Sequence, residues 1–230
     1  MRPWLKRRFC IPPQANAAFV AQMEEVLDVY ERPYDPQRPV VCMDEMPYQL
    51  LLEVCPPLPM EPGQPRREDY EYERKGISNI FLFFEPLAGK RYVWINGHRT
   101  REDWAEAMRY LADECYPDAG VIVVVMDNLN THGPASFYEA FDPAEAHRLR
   151  ERFEFHYTPK HGSWLNMAEI ELSALVRTCL KRRIPDEETL RREVQVWADE
   201  RNQKAVRVEW HFTTADARTR LKRLYPNIHD

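Results

Sequence analysis

Val121-Ile122-Val123-Val124-Val125-Met126-Asp127 decides the fold. Six apolar residues follow one another, mostly β-branched, with no polar residue between them. A strand of that kind needs both faces covered, which is the condition of a central strand in a sheet flanked by helices. The run stops at a carboxylate. A second run of the same type, Val40-Val41-Cys42-Met43-Asp44, also stops at an aspartate. In open α/β sheets ligands collect beyond the carboxyl ends of such strands.

Working outward, residues 1–39 read as a lead-in segment with one helix. After Pro12-Pro13, Phe19, Met23, Val26, Leu27 and Tyr30 recur at helical spacing between Asn16 and Tyr30, and Pro33, Pro36 and Pro39 end the pattern. Beyond Asp44 the pattern predicts a second strand over Tyr48 to Val54, then a proline-rich loop from Pro56 to Pro65. Strands over Ile77 to Phe84 and Arg91 to Asn96 follow. Thr100 caps a helix with Trp104, Met108 and Leu111 on one face. After Asp127 come a helical stretch (Pro143 to Arg152), a strand (Phe153 to Tyr157), a loop (Thr158 to Ser163) and a helix from Trp164 to about Lys181. A last long helix starts at Asp186. The expected class is α/β, a mixed sheet with helices packed on it, residues 40–230 forming one domain.

A formal net charge of -5 and a pI near 5.9 lack the simplest footprint of phosphate binding, a whole-chain basic excess. The charge is uneven, however. Arg177 to Arg183 and Arg218 to Arg223 are basic, while Glu24, Glu25, Asp28, Glu31 and Asp35 are acidic. Each run is either a solvated helix face or a binding surface. The five cysteines are odd in number and form no C-x-x-C pair, which points away from a disulfide framework and a zinc site. Cys42 and Cys179 read as small buried hydrophobes. No apolar run is long enough to span a bilayer and no signal peptide is evident, so a cytoplasmic setting without a membrane partner is expected.

Asp44 and Asp127 each either cap a turn or ligate a hard cation such as Mg²⁺. A third carboxylate comes from the Trp164 helix. Leu165, Ala168, Leu172, Leu175, Val176 and Cys179 mark an apolar stripe that contains Glu169 and leaves Glu171 to its side. A glutamate aimed at the core needs a partner or a metal. The spacing therefore favours Glu169 as the functional residue, the alternative being a half-exposed glutamate at the stripe's edge.

The blocks Asp44-Glu45-Met46-Pro47, Met126-Asp127-Asn128-Leu129-Asn130-Thr131-His132 and His156-Tyr157-Thr158-Pro159-Lys160-His161-Gly162-Ser163-Trp164-Leu165-Asn166-Met167-Ala168-Glu169 resemble the signature blocks of the IS630 family of transposases, within the IS630/Tc1/mariner superfamily. Trp210-His211-Phe212-Thr213-Thr214, Asp216-Ala217-Arg218 and Leu224-Tyr225-Pro226 are similar to its closing segment. The resemblance implies a ribonuclease-H-like fold and an Asp-Asp-Glu triad of Asp44, Asp127 and Glu169. It implies two Mg²⁺ or Mn²⁺ ions, Asp44 bridging both, and cleavage and strand transfer at transposon ends. The spacing from Asp127 to Glu169 exceeds that usual in the family, and the excess fits residues between Ser136 and Arg152.

Asn128, Asn130 and His132 follow the second aspartate and either orient it, touch a phosphate or stabilise the turn. Lys160 and His161 are expected to contact DNA near the positive end of the catalytic helix. Trp164 reads as a core anchor rather than a base-stacking platform. Family members normally begin with helix-turn-helix modules, and the start of this chain resembles a truncated or split transposase. A homodimer on DNA, a separate helix-turn-helix polypeptide and a bacterial, nucleoid-associated location follow from the resemblance. The acidic exposed positions of the first helix would repel phosphate, so weak, unselective DNA binding by this chain alone is expected. A nuclease that cuts without joining, or an assembly-only DNA-binding remnant, are the competing readings.

Overall fold

The structure, a computed structural model, describes residues 14–55, 58–65, 67 and 69–226. Cys10, Pro12 and Pro13 lie outside the described residues. Five strands form one sheet in the order β3-β2-β1-β4-β5: β1 (Val40–Glu53), β2 (Tyr72–Glu85), β3 (Lys90–Asn96), β4 (Ile122–Met126) and β5 (Phe153–Tyr157). β1, β2 and β3 are antiparallel, and β1, β4 and β5 parallel. This is the mixed, ribonuclease-H-like sheet expected of the chain.

β1 departs from expectation. Asp44 does not end a strand, because β1 continues unbroken to Glu53 and absorbs the separate strand expected from Tyr48. β2 holds it throughout, with a register shift between Gln49 and Leu51. β4, by contrast, pairs only with Val40, Val41 and Cys42. Beyond Cys42 one side of β1 therefore has no strand partner among the described residues, the setting in which a strand tolerates Pro47. The cleft that opens there is where the carboxylates lie.

Side-chain alternation divides the core between the two faces. On one face Val41, Met43, Phe81, Phe83, Val124 and Met126 pack under α2 (Arg101–Tyr110), the π-helical turn Leu111–Cys115, α3 (Ala135–Ala140) and α4 (Pro143–Glu151). Thr100 caps α2 in a reciprocal capping box with Asp103. α3 and α4 occupy the stretch to which the longer Asp127 to Glu169 spacing was assigned. On the other face lie α1 (Ala17–Tyr30), α5 (Ala168–Thr178), α6 (Glu187–Gln203) and α7 (Thr214–Arg220). α1 buries Met23, Val26 and Leu27 completely and shares a core with Cys42, Val123, Val125, Leu165 and Leu224.

The acidic side of α1 is a docking surface for the C-terminal segment. Glu24 accepts from both Nε and Nη2 of Arg218 and from the Tyr225 hydroxyl. Asp28 accepts from the Thr214 hydroxyl and Glu31 from the Thr214 N–H. The Asn16 N–H donates to the Leu224 carbonyl at 2.9 Å, joining the two ends of this half. No helix among the described residues is long and apolar enough to cross a membrane.

Candidate active site

Asp44 and Asp127 come together by register. Cys42 on β1 is the partner of Val125 on parallel β4, so two further residues along each strand set Asp44 opposite Asp127. Asp44 also pairs across β2 with Leu82, whose side chain lies among those under α5 and α6. Cross-strand partners point the same way, so the Asp44 side chain is on the face that carries α5.

α5 is brought to that face by the Gly162 to Met167 segment. Ser163–Leu165 is a 3₁₀ turn, Asn166 is extended, and the helix itself starts at Ala168. Gly162 is required by close approach, since a Cβ there would stand 2.5 Å from the Pro159 ring. Buried Asn166 ties the helix to the first aspartate's strand. Its Nδ2 donates to the Met43 carbonyl (2.8 Å) and its Oδ1 accepts from the Ala168 N–H (3.1 Å). The Tyr30 hydroxyl holds the same segment through the Leu165 carbonyl at 2.7 Å. Asn166 is a site residue that sequence spacing does not single out. The signal was an asparagine just ahead of the helix start.

Glu169 does not lie on the buried stripe of α5, contrary to the spacing-based expectation. The buried stripe of α5 is Ala168, Glu171, Leu172 and Leu175, while Glu169 and Val176 are exposed. Counting from Leu165 failed because Leu165 belongs to the preceding turn, and the extended Asn166 resets the phase. Glu171 is instead 1% exposed and gripped by two guanidiniums: Arg91 Nε and Nη2 at 2.8 and 3.0 Å, Arg201 Nε and Nη2 at 2.9 Å each. Burial opposes ionisation of Glu171, but Arg91 and Arg201 prevail and hold its carboxyl below the usual range.

Glu169 keeps a different claim: its charge acts on Asp44. Burial first, then the charges of Asp127, Glu169 and Glu45, push the Asp44 carboxyl up to about 7, against the lowering effect of the Glu45 N–H at 2.8 Å. Repelling carboxylates in a part-buried cleft form a donor set for a hard divalent cation. The set is not closed: among the described residues no group of three His, Cys, Asp or Glu side chains stands ready to hold a metal ion. Asp127 is also engaged by a histidine, its Oδ1 2.8 Å from His132 Nδ1. The residues fit such a cation in donor chemistry and charge.

His132 is not placed to touch DNA. It is 4% exposed, stacked on Trp104, and reaches from Asp127 toward Glu45, whose Oε2 is 3.5 Å from Nε2. Burial alone would lower its pKa, yet its contacts with Asp127 and Glu45 raise it to about 9. Asn128, Asn130, Lys160 and His161 are exposed. Between Lys160 and His161 and the start of α5 at Ala168 stands the Ser163–Leu165 turn. With Asn128, Ser163 and Asp127 they line an open groove of about 470 Å³. A groove of about 490 Å³ between the end of α5 and α6, lined by Lys181, Arg182, Glu193 and Glu200, has mixed charge. Trp164 packs on Trp210 and Phe212, as a core anchor does.

Residues 39–191 match the model of a family described as DDE superfamily endonuclease. The chain belongs to this family. Among solved structures the chain resembles the Mos1 mariner paired-end complex with Mn at 15% identity and a TM-score of 0.54, covering 87% of this chain and 62% of that one. The Mos1 strand transfer complex gives 14% identity and a TM-score of 0.57, with 87% and 61% covered. The Mos1 paired-end complex with Mg gives 15% identity and a TM-score of 0.55, with 99% and 69% covered. The chain thus spans about 62% of the length of the first of these. At such identities the likeness is one of fold. A search of curated proteins found no match.

Proposed function

We propose that this chain is the catalytic domain of a DNA transposase, cutting DNA strands and joining them to a target with Asp44, Asp127 and Glu169 as its Asp-Asp-Glu triad. The observation that carries the reading is the juxtaposition of Asp44 and Asp127 by strand register, in a cleft where the charge of Glu169 is felt at Asp44. The family model supports the nuclease chemistry. The three signature blocks support the IS630 assignment.

The three carboxylates would hold two Mg²⁺ or Mn²⁺ ions, which supply charge stabilisation and nucleophile activation for in-line attack on phosphorus. The chain's own residues do the rest. Asn166 fixes the α5 start against the Asp44 strand. His132 holds Asp127 and balances part of the negative charge. Lys160, His161, Asn128 and Asn130 flank the cleft from the exposed side, where they can position a phosphodiester backbone without reading sequence. Two such domains would act on paired DNA ends, with end sequences read by helix-turn-helix modules on the same or a separate polypeptide.

The test is nicking of a supercoiled plasmid and joining of precut ends, with Mg²⁺ or Mn²⁺ added to a chelator-stripped protein. Asp44→Asn, Asp127→Asn and Glu169→Gln should each lose both activities and stay folded. Nicking without joining would indicate the nuclease alternative. Full activity in any of the three variants would refute the triad.

A further inference from the structure

We propose that Glu171 is a positioning residue for Glu169: the Arg91–Glu171–Arg201 cluster sets the roll of α5 and thereby aims the catalytic carboxylate. The inference rests on the reading of Glu169 as the third member of the triad. The two glutamates lie on opposite sides of one helix, Glu171 buried and Glu169 exposed. Successive residues turn by about 100°, so any roll that moves one moves the other.

Apolar contacts from Leu172 and Leu175 resist separation of α5 from the sheet but are not directional. Four hydrogen bonds from two guanidiniums to one carboxylate are directional. Arg91 is in turn tied down by further contacts. Its Nη1 donates to the Gly89 carbonyl and its Nη2 to the Val206 carbonyl, while its N–H donates to Asn202 Oδ1. Its guanidinium also lies over the Phe84 ring at 4.5 Å. Gly89 is held in the left-handed conformation (φ +67), and a Cβ there would meet the Ala205 backbone at 2.8 Å, so the β2–β3 turn packs directly on the end of α6. The roll of α5 is thus referred to the β2–β3 turn and the end of α6.

Stability does not account for the cluster, because buried ion pairs are often replaceable by apolar side chains without loss. Aim does. With a helix radius of about 5–6 Å, a roll of about 10° displaces an outward carboxylate by roughly 1 Å. A displacement of that size costs about a hundredfold in rate.

The test uses the full chain carrying Glu171→Gln, which keeps the shape and removes the charge. Thermal melts establish that the variant is folded at the assay temperature. Plasmid nicking in Mn²⁺ should then show kcat reduced about 10–100-fold, with KM for plasmid unchanged within about twofold. Mn²⁺ binding without DNA, read from the electron paramagnetic resonance of free Mn²⁺, should weaken about tenfold or more, as expected when ligand-orienting groups are lost. Arg201→Lys should retain more activity than Arg201→Gln, a difference in kcat rather than in KM. Folded Glu171→Gln with wild-type kcat and Mn²⁺ affinity would overturn the proposal. Should Glu171→Gln not fold, Arg201→Gln at the partly exposed rim carries the same expectations and the same refutation. Glu169→Ala separates the two readings: wild-type nicking and Mn²⁺ binding there would remove the triad itself, whereas their loss beside an unaffected Glu171→Gln would remove only the positioning role.

Discussion

Asp44→Asn should make the metal-free protein more stable at alkaline pH while abolishing its metal-dependent activity. The folded environment raises Asp44 from 3.8 to about 7, through burial first and then the charges of Asp127, Glu169 and Glu45. A carboxyl whose folded pKa is raised favours the fold when protonated. Its effect is absent below about pH 4, grows as pH rises through the unfolded value, and saturates above about 7. The full span corresponds to about 4 kcal/mol of destabilisation, and partial hydration of the cleft reduces that to roughly 2–4 kcal/mol. Asparagine is nearly isosteric and carries no charge, so its gain should approach this figure at pH 8.5 and fall below about 1 kcal/mol near pH 4. For a chain of this size that is about 4–16 °C in Tm at the alkaline end. The assay is thermal unfolding in chelator across pH 4–8.5, repeated with Mg²⁺. Mg²⁺ should raise the wild-type Tm and leave Asp44→Asn nearly unchanged. An Asn variant less stable than wild type at pH 8.5 in chelator, or a gain that does not shrink with acid, would refute the repulsive cluster.

Glu171→Ala should cost about 3–5 kcal/mol in a urea melt, because it strands the fully buried Arg91 without its carboxylate. Asn166→Ala should cost about 1–3 kcal/mol by leaving the Met43 carbonyl unpaired, and plasmid nicking should fall with it. Lys160→Ala should weaken binding of any duplex alike and lower the salt slope by about 1, measured by fluorescence anisotropy at several salt concentrations. A sequence-dependent loss there would mean that Lys160 reads bases.

Most strands were legible because their hydrophobic pattern is continuous; β5 begins and ends where expected. β1 was read as two strands because Asp44, Glu45 and Pro47 interrupt its pattern, and what carries the strand across them is β2, a partner distant in sequence. α3 and α7 escaped notice because both are too short to show a period, although the Thr213–Asp216 capping box marks the start of α7. At the site, the aspartates could be found from strand ends, but Glu169 could not be found from helical phase. An extended asparagine inside an apparently helical run shifted every later position. The partners of Glu171 lie 80 and 30 residues away in sequence, out of reach of any local pattern.

The bond between Asn16 and Leu224 has a consequence for the timing of synthesis. α1 emerges from the ribosome early, with an apolar face partly closed by Ala217, Leu224 and the aromatic Trp210 and Phe212. Those residues are made some 180–210 positions later, which at about 5–20 residues per second is roughly ten to forty seconds. Throughout that interval the side of α1 that meets the closing segment has no cover. A newborn chain therefore cannot finish folding from its front end, and a ribosome that stalls before Trp210 leaves the apolar flank of α1 that the closing segment covers open to chaperones and proteases.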